Sequence, residues 1–115
     1  MRLGVLKEPD GENRVSLIPN SYKKLNKLGF ELTVESGAGV ISHYSDNEYQ
    51  SAGFTVSDKT SVLESEIVVS ISTPDLSNAK EGQIFVCISD PFRNPSTIKQ
   101  AIEKKITLIS MDMIP

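Results

Sequence analysis

Short apolar runs rich in β-branched residues, each parted from the next by turn signals and a helical stretch, constrain this chain more than any other feature. The runs are Leu3–Leu6, Phe30–Val34, Phe54–Val56, Ile67–Ile71, Ile84–Ile88 and Ile106–Ile109, which make five or six strands. Strands joined through helices cannot close as tight hairpins, so they run parallel, and a parallel sheet needs cover on both faces. The pattern predicts a three-layer α/β/α domain, Rossmann- or flavodoxin-like, with a mainly parallel sheet. In such a fold the ligand crevice lies at the carboxyl ends of the strands, here beside Arg14 and Asp90.

The helices are marked by their ends. Pro19 stands in a first helical turn, Tyr22, Leu25 and Leu28 follow at helical spacing, and Gly29 lies past the end. Ser45-Asp46-Asn47-Glu48 is a capping box, with Tyr49 and Ala52 expected to face inward and Gly53 to stop the helix. A further helical turn is expected from Ser57 to about Ser65. Asn94-Pro95 reads as N-cap and first position of a last helix. Ile98, Ala101 and Ile102 share one face of it, and Lys104-Lys105 sit at the negative end of its dipole. The polar stretch 72–83 is expected to be a loop with one helical turn.

At 115 residues the chain is one domain, and 38% hydrophobic with 23% charged residues is ordinary for a soluble globular protein. The net charge of −3 and the scattered lysines give no basic face for a phosphate backbone, which argues against nucleic acid. No stretch approaches the ~20 apolar residues of a membrane span. Lys7, Glu8 and Asp10 follow the first apolar residues too closely for a signal peptide. Cys87, alone and inside an apolar run, is expected to be a buried and inert thiol. Without a partner for a disulfide, it fits a reducing cytoplasm.

Arg14 is the candidate binding residue. It lies in the polar segment from Gly11 to Pro19, after the first strand, where a guanidinium can grip a carboxylate or phosphate bidentately. A structural pair with Glu12 or Glu35 is the other reading. Gly37-Ala38-Gly39-Val40-Ile41-Ser42 mimics a dinucleotide fingerprint, with Asp58 where a ribose-binding acid would be sought. A dinucleotide loop runs straight into a long helix, whereas the capping box delays this helix to Ser45 and lets it run only two turns. The glycines are therefore expected to form a structural turn. His43 has no neighbouring ligand set for a metal and no partner to orient it as a base. No catalytic, cofactor-binding or metal-binding residue is assigned.

Gly4, Lys7-Glu8, Glu12, Arg14-Val15 and Pro19, then Leu25, Leu28-Gly29 and Val34-Glu35-Ser36-Gly37-Ala38-Gly39, carry a more specific pattern. It resembles the N-terminal domain shared by alanine dehydrogenases and the α subunit of proton-translocating NAD(P) transhydrogenase. The resemblance runs through residues 1–115 and implies that the family domain continues beyond them, with the NAD fingerprint in a separate, later domain. It also implies that Arg14 matches the arginine that holds the carboxylate of pyruvate or alanine. The dehydrogenase lysines fall in Val69-Ser70-Ile71-Ser72-Thr73-Pro74, where serine stands instead, and the catalytic histidine falls near Asp90. A hydroxyl cannot hold a substrate carbonyl as an ammonium does, and an ionised Asp90 would repel a carboxylate. Alanine dehydrogenation is thus disfavoured.

Asn94-Pro95 and the stretch Lys105 to Pro115 resemble the transhydrogenase α subunit instead. The expected function is that of the N-terminal segment of its NAD(H)-binding component, not catalytic alone. NAD would be bound by the full-length protein and not by this segment. The implied partners are the remainder of that subunit, the NADP(H)-binding and membrane components, and a second copy in a homodimer. The implied location is the cytosolic face of the inner membrane. Leu6 and Ile18 depart from the family, and Ile18 cannot cap the helix at Pro19, an end looser by roughly 1 kcal/mol. A standalone non-catalytic binding or interaction module of the same fold remains the alternative. A phosphoacceptor receiver domain could use Glu8 and Asp10, but no strand ends in a suitable acceptor aspartate with a following lysine.

Overall fold

The protein, seen as a computed structural model, is described over residues 1–9, 15–72, 76, 77, 79–87 and 95–110, with backbone alone at 95–98 and 110. Among the described residues the elements are, in chain order, β1 Arg2–Val5, α1 Tyr22–Lys27, β2 Glu31–Glu35, α2 Asp46–Ala52, β3 Thr55–Ser57, α3 Lys59–Leu63, β4 Ile67–Ser70, β5 Ile84–Cys87, α4 Pro95–Glu103 and β6 Thr107–Ser110. A 3-10 turn, Pro19–Ser21, leads into α1. The strands form one sheet in the order β3-β2-β1-β4-β5-β6, and every pairing is parallel. The predicted α/β architecture is therefore the observed one, with each strand displaced by no more than a residue or two.

Register divides the core between the two faces. Leu3 pairs with Leu32 and Ile67, and Val5 with Val34 and Val69, so these side chains share one face. Against it pack Tyr49 and Phe54, joined by Tyr22 and Leu25. Phe85 pairs with Val68 and Leu108 on the other face, where Val62, Leu76 and Ala101 cover them. Gly4 lies on this second face, and a Cβ there would stand 2.7 Å from the Val62 carbonyl and from Ser65 Oγ. The absent side chain is what lets α3 come down on β1.

The helix ends behave as their residues dictate. Ser45 accepts from the Glu48 amide and the Glu48 carboxylate accepts from the Ser45 amide, completing the capping box, and Gly53 closes α2 at φ 124°. Asp58 caps α3 by accepting from Ser61 N at 2.9 Å. Ile18 stands at the N-cap before Pro19 with no side-chain cap. Helix α4 begins at Pro95 as expected. Two apolar residues fall outside the faces expected of them. Leu28 lies just past α1 and is 73% exposed, and Ile102 is 73% exposed while its neighbour Ala101 faces the sheet. In the polar stretch, Leu76 is fully buried and forms a turn with Ala79, and no helix occurs among the described residues of 72–83.

Candidate functional site at the strand ends

Connections leave β1 towards β2 on one side, while β4 and β5 extend the sheet on the other, so the strand order switches between β1 and β4. The carboxyl ends of these two strands form the natural crevice of such a sheet. Leu6 N continues the ladder past β1 by donating to Val69 O at 3.1 Å. Two residues later, Glu8 turns its carboxylate back to the end of β4. One oxygen accepts from Ile71 N at 2.9 Å, and the other accepts from Ser72 N at 2.8 Å and Ser72 Oγ at 2.7 Å. Glu8 is 7% exposed. A carboxylate can lie this deep because three donors replace the water it gave up.

Ser70 and Cys87 lie beneath this link. The Ser70 hydroxyl donates to Ser72 O at 2.7 Å and stands 3.9 Å from Cys87 Sγ. Burial pushes the Cys87 thiol up, the Ser70 contact opposes this, and the Glu8 charge adds to it. The thiol is fully buried, as its place in β5 predicted.

The segment between Glu8 and the 3-10 turn is fastened again on its far side. Ser16 Oγ donates to Val69 O at 3.4 Å, and Tyr49 donates its hydroxyl to Leu17 O at 2.7 Å. Arg14, Glu12 and Asp90 lie outside the described residues, so the chain is seen entering and leaving the Arg14 stretch at β4 and at α2. Lys7 stays exposed, its amide donating to Glu35 Oε1 at 3.1 Å, and its stem crosses over Gly37.

The glycine turn after β2 is held from within. Asp46, the first residue of α2, accepts from Ser36 Oγ at 2.6 Å and from Gly37 N at 2.8 Å. The Ser36 hydroxyl first, and the Gly37 amide second, hold its carboxyl below the usual range. Ala38 N and Val40 N donate to Glu35 O and Gly37 O. A Cβ on Gly39 would stand 2.6 Å from the Tyr49 ring and 2.8 Å from Tyr44. Gly39 makes room for the two tyrosines, and a carboxylate already sits on the Gly37 amide, where a pyrophosphate would be repelled. His43 is exposed in the same turn at φ 69°.

Among the described residues no three or more His, Cys, Asp or Glu side chains are grouped to hold a metal ion. No described helix is long and apolar enough to cross a membrane. Sequence reasoning noted Glu8 in the family pattern and as a receiver-type acid, but not its link to the end of β4, because its partners lie 63 and 64 residues away.

Residues 4–115 match the family model described as alanine dehydrogenase/PNT, N-terminal domain. The chain belongs to this family. It is 33% identical over 121 residues to the NAD(P) transhydrogenase subunit alpha of Cereibacter sphaeroides, covering 100% of this chain and 23% of that subunit. It is 30% identical over 120 residues to an alanine dehydrogenase of Methanococcus maripaludis, covering 99% of this chain and 32% of that enzyme. Among solved structures, the transhydrogenase from Sinorhizobium meliloti superposes with a TM-score of 0.92 at 30% identity, over 100% of this chain and 36% of that one. The alanine dehydrogenase/PNT N-terminal domain seen here thus spans a quarter to about a third of the relatives it matches.

Proposed function

We propose that this chain is the N-terminal segment of the NAD(H)-binding component, the α subunit, of a proton-translocating NAD(P) transhydrogenase, which passes hydride between NAD(H) and NADP(H). The end-to-end match to transhydrogenase subunits supports this reading. The observation that separates it from alanine dehydrogenase is at the end of β4, where the Ser72 hydroxyl donates to Glu8 at 2.7 Å. A hydroxyl already committed to a carboxylate offers no positive charge to polarise a substrate carbonyl.

In this reading the segment carries no catalytic group and no nucleotide site. NAD is held by sequence beyond the 115 residues, and the glycine turn at 37–39 is structural. The segment forms one wall of the cleft and supports a homodimer on the cytosolic face of the inner membrane. There it works beside the NADP(H)-binding and membrane components. Arg14 is the one residue assigned to ligand, as an anion-binding guanidinium.

A chimera tests this. Residues 1–115 replace the matched segment of the Cereibacter sphaeroides α subunit, and hydride transfer from NADH to an NADP analogue is measured. Retained transfer is expected. A folded, assembled and inactive chimera would favour a standalone binding module instead.

A further inference from the structure

The end of β4 presents two successive backbone amides, Ile71 N and Ser72 N, together with the Ser72 hydroxyl, all converging on one point at the switch of strand order. Three convergent donors at a strand end make an anion-binding nest, the kind of place where a ligand carboxylate or phosphate is taken in open α/β sheets. Here the chain fills that nest with its own side chain. Both Glu8 oxygens are engaged, at 2.7–2.9 Å, and Ile71 beside them is 2% exposed.

We propose that Glu8 is a specificity-determining residue of the crevice: a resident carboxylate that occupies the anion-binding donors at the end of β4 and so excludes small carboxylate ligands from them. Two consequences follow from charge and geometry. A ligand carboxylate approaching Ile71 and Ser72 meets a negative group with no donor left to offer. The same carboxylate also joins β1 to β4 across the switch point, because its backbone is anchored just after β1 and its donors are anchored just after β4.

Acetate is the fragment that Glu8→Ala removes, which makes it the probe. The 115-residue chain and its Glu8→Ala variant are titrated with sodium acetate, against sodium chloride at equal ionic strength, while the amide resonances of Ile71 and Ser72 are followed with the melting temperature. In Glu8→Ala the expected result is saturable shifts at both amides and a melting temperature that rises with acetate but not with chloride. Neither effect is expected in the native chain. If Glu8→Ala folds only when acetate is present, that acetate-dependent folding is the same result. Glu8→Gln keeps the volume but turns an amide donor towards the nest, and it is expected to lose amide protection at Ile71 or Ser72 without gaining acetate binding. Equal acetate shifts in native and Glu8→Ala chains would overturn the proposal. So would a Glu8→Ala chain on which acetate acts no differently from chloride.

Discussion

Tyr49 donates its hydroxyl to the Leu17 carbonyl across 2.7 Å, tying helix α2 to the segment that leads from the Arg14 stretch into Pro19. The ring is fully buried, edge-on to Phe54 at a centroid distance of 5.1 Å and to Tyr44 at 6.5 Å. The one polar atom of a buried ring thus has a partner, and that partner fixes one end of the candidate site.

Tyr49→Phe is expected to destabilise the protein by about 1–2 kcal/mol, because the Leu17 carbonyl loses its donor. Alkaline pH adds a second signature. Burial first, then the Tyr44, Asp46 and Glu48 charges, push the Tyr49 phenol up to about 12. The folded state therefore holds the proton longer than the unfolded state, whose phenol titrates near 10. The stability this gives is whole below pH ~10 and drains away as pH rises towards 12. Urea midpoints measured from pH 8 upward should fall more steeply for the native chain than for Tyr49→Phe. Parallel curves would contradict the assignment.

Gly4 sets how close α3 comes to the sheet. An added methyl would meet the Val62 carbonyl and Ser65 Oγ at 2.7 Å and Val62 Cγ1 at 2.9 Å. One of these atoms is backbone, so relief requires the helix to move. Gly4→Ala is expected to cost about 1–3 kcal/mol, the range for overpacking a core. Denaturant unfolding checks it, and an unchanged midpoint would mean that α3 rides freely on β1.

The entry to α1 can be improved. Ile18 holds the N-cap position in extended backbone, φ −95° and ψ 164°, contributes no cap hydrogen bond and is 36% exposed. Ile18→Ser places a side-chain acceptor at the N-cap of the 3-10 turn, where Ile18 makes no cap bond. A gain of about 0.5–1 kcal/mol is expected in thermal or urea unfolding. A loss would show that the Ile18 side chain matters more to packing than its exposure indicates.

Much of the fold was legible because its signals are local. Ile67-Val68-Val69 and Ile84-Phe85-Val86 are continuous β-branched or aromatic runs, and buried parallel strands need such runs on both faces. Ser45 and Glu48 announce a helix start within four residues, and both cap bonds form. Residues whose role depends on distant partners were not legible. The bond of Glu8 to the end of β4 exists only once β4 is set beside β1, and Leu76 is a single leucine in a polar stretch that nonetheless fills the second core. Leu28 and Ile102 failed for a different reason: helical spacing names a face but not where the helix ends or which edge of the face meets the sheet. Arg14 and Asp90, which the sequence put at the crevice mouth, lie outside the described residues.

The central claim is that this segment shapes a nucleotide cleft without holding the nucleotide. Calorimetric titration of the 115-residue chain with NADH tests it most directly. The account predicts no saturable heat up to high micromolar NADH, because the glycine turn is filled by Tyr44, Tyr49 and Asp46 and the β4 donors are filled by Glu8. A single-site isotherm with micromolar affinity would contradict it.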